Sequence, residues 1–143
     1  MPNSPICVDA SVVIRLVADP SDETVRALWE QWDAEGRELV APTLLLYEVC
    51  NVLFQYQKTG LMSASAVDAA LEAALSLPVE LHGGSDLHRS AVDLARRFSL
   101  PAAYDAHYLA LAESLQAEFW TKDGRLARAV EQELGWVHLV DSQ

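Results

Sequence analysis

Two cysteines, six glycines and six prolines in 143 residues exclude several classes of protein at once. Cys7 and Cys50 show no CxxC spacing and lie inside apolar stretches, so neither a disulfide framework nor a zinc site is expected. Both read as small buried hydrophobes of a reducing compartment. The scarcity of Gly and Pro excludes collagen-like and low-complexity chains, and 51% hydrophobic residues exclude wholesale disorder. No apolar run approaches the roughly 18 residues of a membrane span. Met1-Pro2-Asn3-Ser4-Pro5 has no basic lead, so a signal peptide is not expected there. Positive charge is also scarce: ten Lys and Arg stand against 21 Asp and Glu, for a net charge of −11 and a pI near 4.6. Such a chain cannot coat nucleic acid through bulk charge, although metal ions at a local site can still meet phosphate. The expectation is one soluble, cytoplasmic domain over residues 1–143.

What is present is alternation. Ile6-Cys7-Val8 reads as a buried strand and Ser11–Val17 as a short helix. Asp19-Pro20 offers a cap and a first helical position for a second helix, on which Val25, Leu28, Trp29 and Trp32 share a face. That stripe reads as core, or as a groove for a partner helix. Leu39–Ala41 is a strand stopped by Pro42, and Thr43 can cap a helix running to about Gln57. Ser63–Ser76 is helical, Val79–Leu81 a strand closed by Gly83-Gly84, and Ser85–Phe98 and Ala103–Gln116 are helices. Phe119–Thr121, a helix Asp123–Leu134 and a strand Trp136–Val140 complete the pattern. Strands joined by helical crossovers predict an α/β/α sandwich around a parallel sheet of about five strands.

Most acids suit solvent: Asp22, Glu23, Glu30 and Glu35 on the second helix, Glu131 and Glu133 on the last. Four do not. Asp9 follows the strand Ile6–Val8; Glu48 interrupts the apolar run Leu44–Cys50; Asp105 opens a helix with little polar surface; Asp123 closes Phe119–Lys122. Burying an unpaired carboxylate costs several kcal/mol. Capping alone accounts for Asp9, Asp105 or Asp123 taken singly. Glu48 is mid-helix, where the ordinary explanation is an ion pair, and cations are few. In parallel α/β sheets, ligand sites gather outside the carboxyl ends of the strands, where Asp9 and Asp123 project. Four carboxylates there would repel one another without a cation, and hard oxygen donors suit Mg²⁺ or Mn²⁺.

Val8–Val13, Pro42–Leu44 through Glu48 to Leu53, Tyr104–Ala112 and Thr121–Leu126 together resemble the PIN-domain nucleases, and within them the VapC toxins of bacterial toxin–antitoxin pairs. The likeness spans nearly the whole chain. It implies a parallel α/β/α fold and a Mg²⁺- or Mn²⁺-dependent endoribonuclease whose acidic quartet falls on Asp9, Glu48, Asp105 and Asp123. It further implies homodimers and a cognate antitoxin whose C-terminal segment lies across the site. The metal would activate a water for in-line attack on a backbone phosphorus, leaving a 5′-phosphate and a 3′-hydroxyl. Ser11 and Thr121, two residues from proposed ligands, would orient a carboxylate or a water, and Asn51 would steady Glu48 at i+3. Lys122, Arg125 and Arg128 are candidate RNA contacts, with a solvated helix face as the ordinary explanation. Arg89, Arg96 and Arg97 read as surface charges, and His107 as packing or interface. Two other functions fit an acidic pocket: a metal-dependent phosphohydrolase, and a non-catalytic module that docks a basic partner segment. The former lacks the second Asp of an aspartyl-nucleophile phosphatase, since that position is Ser11.

Overall fold

The computed structural model describes residues 4–141, so Met1–Asn3 of the leader reading lies outside the described residues. Five strands, β1 (Ile6–Val8), β2 (Leu39–Pro42), β3 (Val79–His82), β4 (Glu118–Thr121) and β5 (Val137–Leu139), form one sheet in the order β3-β2-β1-β4-β5. Every pairing is parallel, as helical crossovers require. Seven helices flank it: α1 (Ala10–Ala18), α2 (Glu23–Ala34), α3 (Leu44–Lys58), α4 (Ala64–Leu75), α5 (Ser85–Arg97), α6 (Tyr104–Leu115) and α7 (Gly124–Val130).

Strands β1 and β2 are apolar along their whole length because both faces are covered. Every residue of β1 and β2 is buried, whereas the edge strand β3 is half-exposed. α6 packs over β1, β2 and β4 and is backed by α5; its buried Ala106, Ala110 and Ala112 let the helix approach closely. α1 packs against α2, α3, α4 and β4. Tyr108 and Phe119 are the largest fully buried side chains of the core. The order of the sheet reverses at β1: the chain moves outward to β2 and β3, then crosses to β4 and β5 on the other side. The crevice between the carboxyl ends of β1 and β4 is the switch point at which α/β folds bind ligands.

Several local expectations are corrected. The second helix starts at Glu23, not at Pro20, because α1 runs on to Ala18 and the Asp19 carboxylate closes a turn onto Ser21. Asp22 is the cap, accepting from the Val25 amide at 3.2 Å. It is no solvent acid either: its side chain is buried against Lys122. Thr43 has helical backbone angles and makes no side-chain cap bond. α7 ends at Val130, four residues early, since the chain turns there to lay Val137 beside Phe119. Cys7 is buried as expected, but Cys50 is exposed on the outer face of α3. Trp32 is buried, Trp29 packs half-buried 5.8 Å from it, and Trp120 lies 5.7 Å away on the other side. The tryptophan stripe is therefore core.

Candidate active site

Asp9 directly follows β1, is buried and caps α1. Its Oδ1 accepts from the Ser11 amide at 3.1 Å, from the Ser11 hydroxyl, and from the Val12 amide at 3.4 Å. Its Oδ2 accepts from the Thr121 hydroxyl at 2.5 Å. Both hydroxyls are themselves fixed: Ser11 Oγ accepts from the Lys122 amide, and Thr121 Oγ1 from the Asp123 amide, each at 2.9 Å. Ser11 and Thr121 thus orient the carboxylate and lace the end of β1 to the end of β4. Burial pushes the Asp9 carboxyl up to about 6; the hydrogen bonds from Ser11, Thr121 and Val12 oppose that rise, and the charge of Asp105 adds to it.

Asp123 follows β4 and caps α7, its Oδ1 accepting from the Arg125 and Leu126 amides at 3.0 and 3.2 Å. That leaves Oδ2 outside the cap. Asp105 sits in the first turn of α6, half-buried, and among the described residues its carboxylate accepts no hydrogen bond and meets no cation. Its carboxyl is raised above the usual range by burial first, then by the charges of Asp123 and Glu48. Glu48, on α3, is half-buried and held by the Tyr108 hydroxyl of α6, which donates to Oε1 at 2.5 Å. The four acids named from the sequence therefore share one electrostatic environment at the switch point.

The other named residues separate. Asn51 is exposed, and Glu48 is steadied by Tyr108 instead. Lys122 lies 3.6 Å from Asp22 with both side chains buried, so it is built into the fold and does not face solvent as a phosphate contact would. Arg125 and Arg128 are exposed, in the first and last turns of α7, the Arg128 side chain folding back over Gly124. Arg89, Arg96 and Arg97 pair with Asp86, Asp93 and Glu133. His107 is a packing residue, donating to the Ala103 carbonyl and bonded to His88. Tyr108 is the site residue that pattern reading missed. A buried tyrosine needs a partner for its hydroxyl, so its place on an otherwise Ala- and Leu-rich helix was the available signal.

Can these residues hold a metal ion? The donor set is all oxygen, and like charges gathered away from water call for a cation. Among the described residues, no three acidic, His or Cys side chains close into a cage. Mg²⁺ does not need one, since it keeps several waters and binds through one or two carboxylates plus substrate phosphate. Asp105 and the spare oxygen of Asp123 suit direct contact. Asp9, with both oxygens already engaged, suits contact through water or as the anchor of the cluster.

Comparison with known proteins agrees with this fold. The family described as PIN domain matches residues 6–132. Ribonuclease VapC3 of Mycobacterium tuberculosis is 38% identical over 133 residues, covering 90% of this chain and 91% of that protein. The crystal structure of PAE2754 from Pyrobaculum aerophilum superposes with a TM-score of 0.68 at 23% identity, over 92% of this chain and 88% of that one. VapBC2 from Rickettsia felis, solved bound to a DNA fragment from its promoter, superposes with a TM-score of 0.65 at 12% identity, over 96% and 98% of the two chains.

Proposed function

The chain belongs to the PIN domain family, and from that membership we propose that it is a divalent-metal-dependent endoribonuclease, the toxin of a toxin–antitoxin pair. The observation that carries the reading is the placement of Asp9, Glu48, Asp105 and Asp123 at one switch point, Asp105 interacting with the charge of each of the other three and no neutralising cation standing among the described residues. Such a cluster is costly for a fold and useful to a phosphodiester hydrolase. A bound Mg²⁺ or Mn²⁺ would lower the pKa of a water and neutralise charge on the phosphate.

This chain's own residues do the positioning. Asp105 and Asp123 would hold the ion, and the Asp9 carboxylate is locked by Ser11 and Thr121 so that its negative charge keeps a fixed place at the end of β1. Tyr108 holds Glu48 in one rotamer, leaving Oε2 to steady a water. Arg125 and Arg128, on the exposed face of α7 just after Asp123, lie where an incoming RNA backbone would pass. With a net charge of −11, such local contacts have to supply the docking. A homodimer and an antitoxin that covers the site belong to the same reading.

The test is cleavage of a mixed RNA pool in Mg²⁺ or Mn²⁺, with EDTA and Asp105→Asn as controls. Metal-dependent cutting that leaves 5′-phosphate ends and disappears in the variant is the expected result. Cutting that survives Asp105→Asn would place the chemistry elsewhere. Folded protein that cuts nothing yet binds a basic peptide without metal would be a docking module.

A further inference from the structure

A second concavity is formed without any of the four acids and has no part in the chemistry above. Its volume is about 290 Å³, and Leu44, Tyr47, Leu87, His88, Tyr104 and His107 line it, from α3, α5 and α6. Pro42 and Gly83, at the ends of β2 and β3, close its base, so it opens on the same edge of the sheet as the acids. Two of its walls come from the helices that carry the site: Tyr47 immediately precedes Glu48, and Tyr104 immediately precedes Asp105. Both tyrosines are largely exposed, at 75% and 64%. Neither ring is packed into the core of the fold, and each stands next in sequence to an acid of the cluster.

The polar part of the pocket is fixed by a chain of hydrogen bonds. The Ala103 carbonyl can only accept, so His107 Nδ1 donates to it at 2.7 Å. With the ring neutral, His107 Nε2 is then an acceptor, and His88 Nδ1 donates to it at 2.9 Å. A neutral His88 is left with a lone pair on Nε2. One backbone carbonyl thus anchors two linked imidazole rings, and both contribute to the lining that Tyr47 and Tyr104 share.

Resting on the nuclease reading, we infer that this pocket is a base-binding subsite, which seats one unpaired nucleobase of the RNA next to the scissile phosphate. The base stacks on Tyr104 and Tyr47, and an N–H on its edge can be read by His88. Three observations favour a base over an apolar protein segment. The walls are aromatic and carry an oriented polar group, as planar polar rings require. The pocket is contiguous in sequence and on the sheet edge with the acids that would meet phosphate. The acidic chain offers few backbone contacts, so affinity has to come from bases, and stacking supplies it without positive charge.

The experiment uses the wild-type protein and ligands that contain no phosphodiester to cut. The four nucleoside 5′-monophosphates and ribose 5-phosphate are titrated while the ring protons of Tyr104, Tyr47, His88 and His107 are followed by NMR. Shifts with at least one mononucleotide and none with ribose 5-phosphate are expected. Equal responses to both, or no response to any, would overturn the subsite, including the case in which an apolar partner segment is the true occupant. In the cleavage assay, Tyr104→Leu raises KM for a short RNA by about tenfold and flattens the base preference, while kcat changes little. Tyr104→Phe, which keeps the ring, restores both. An unchanged KM and preference in Tyr104→Leu would also overturn it. Base-dependent shifts in a protein that cuts no RNA would sink the nuclease reading and leave the pocket standing.

Discussion

The two ends of this sheet treat negative charge in opposite ways. At the amino end Glu118, the first residue of β4, is gripped by Arg37 at 2.6 Å, and Arg37 also reaches Glu35 at 3.1 Å and the Ser4 carbonyl at 2.6 Å. Although partial burial works against it, the Arg37 contact together with the Trp120 N–H holds the Glu118 carboxyl below its ordinary value. At the carboxyl end Asp9 and Asp105 are both raised: Asp9 is met by hydroxyls and backbone amides, Asp105 accepts no hydrogen bond, and among the described residues neither meets a cation. Ten cations serve this chain, and the fold places one of its few buried guanidiniums at the end that does no chemistry. An acid matched by a cation is structure; acids left unmatched together mark the place where a cation is to be bound.

The contrast is broken most completely by Asp105→Asn. RNA cleavage should fall on the order of a thousandfold, from loss of several kcal/mol of metal-borne stabilisation. The thermal midpoint should hold or rise, because a like charge has been removed. Arg37→Ala should do the reverse, costing about 3 kcal/mol in urea unfolding by leaving Glu118 unmatched, while specific activity of the folded protein is kept.

Acid titration separates the ends by sign. Asp9 binds its proton up to about pH 6 in the folded protein and only near 3.8 unfolded. The folded state therefore holds more protons between those values, and stability falls as pH rises through that window, by roughly 3 kcal/mol. Glu118, with a depressed folded value, contributes stability above its ordinary 4.5 that is lost as pH falls further. Urea midpoints between pH 3 and 8 in EDTA would show a maximum near pH 4 to 5, and Asp9→Asn would flatten its alkaline flank, leaving the smaller share due to Asp105.

A divalent ion should cancel the penalty at the carboxyl end. At a hundred times its dissociation constant, Mn²⁺ should stabilise the wild type by about 2.7 kcal/mol and Asp105→Asn far less. Tyr108→Phe is the mildest change. Loss of its bond to Glu48 should lower stability by about 1 kcal/mol and activity several-fold, with no change in metal preference.

Much of this was legible in one dimension. Strands such as Ile6–Val8 and Leu39–Pro42 announce themselves because a sheet covered on both faces tolerates little but apolar side chains. Asp9 and Asp123 stand out because each ends such a run. The element boundaries were less legible where two local signals competed. Asp19-Pro20 and Asp22 are both good helix starts, and only the length of α1 decided between them. Lys122 was misjudged for a different reason: adjacency to Asp123 says nothing about which way a side chain points, and Asp22, a hundred residues away, turned it inward.

The sequence by itself determined the sheet, its helical crossovers and the four acids out of place, since each follows from periodicity and from the cost of burying charge. Tertiary structure alone decided which groups meet. Tyr108 reaches Glu48 across 60 positions, Thr121 reaches Asp9 across 112, and His107, His88 and the two tyrosines line one pocket from three helices. Those contacts join segments distant in sequence, so no local pattern carries them; they exist only once the sheet has set β1 beside β4 and α3 beside the start of α6.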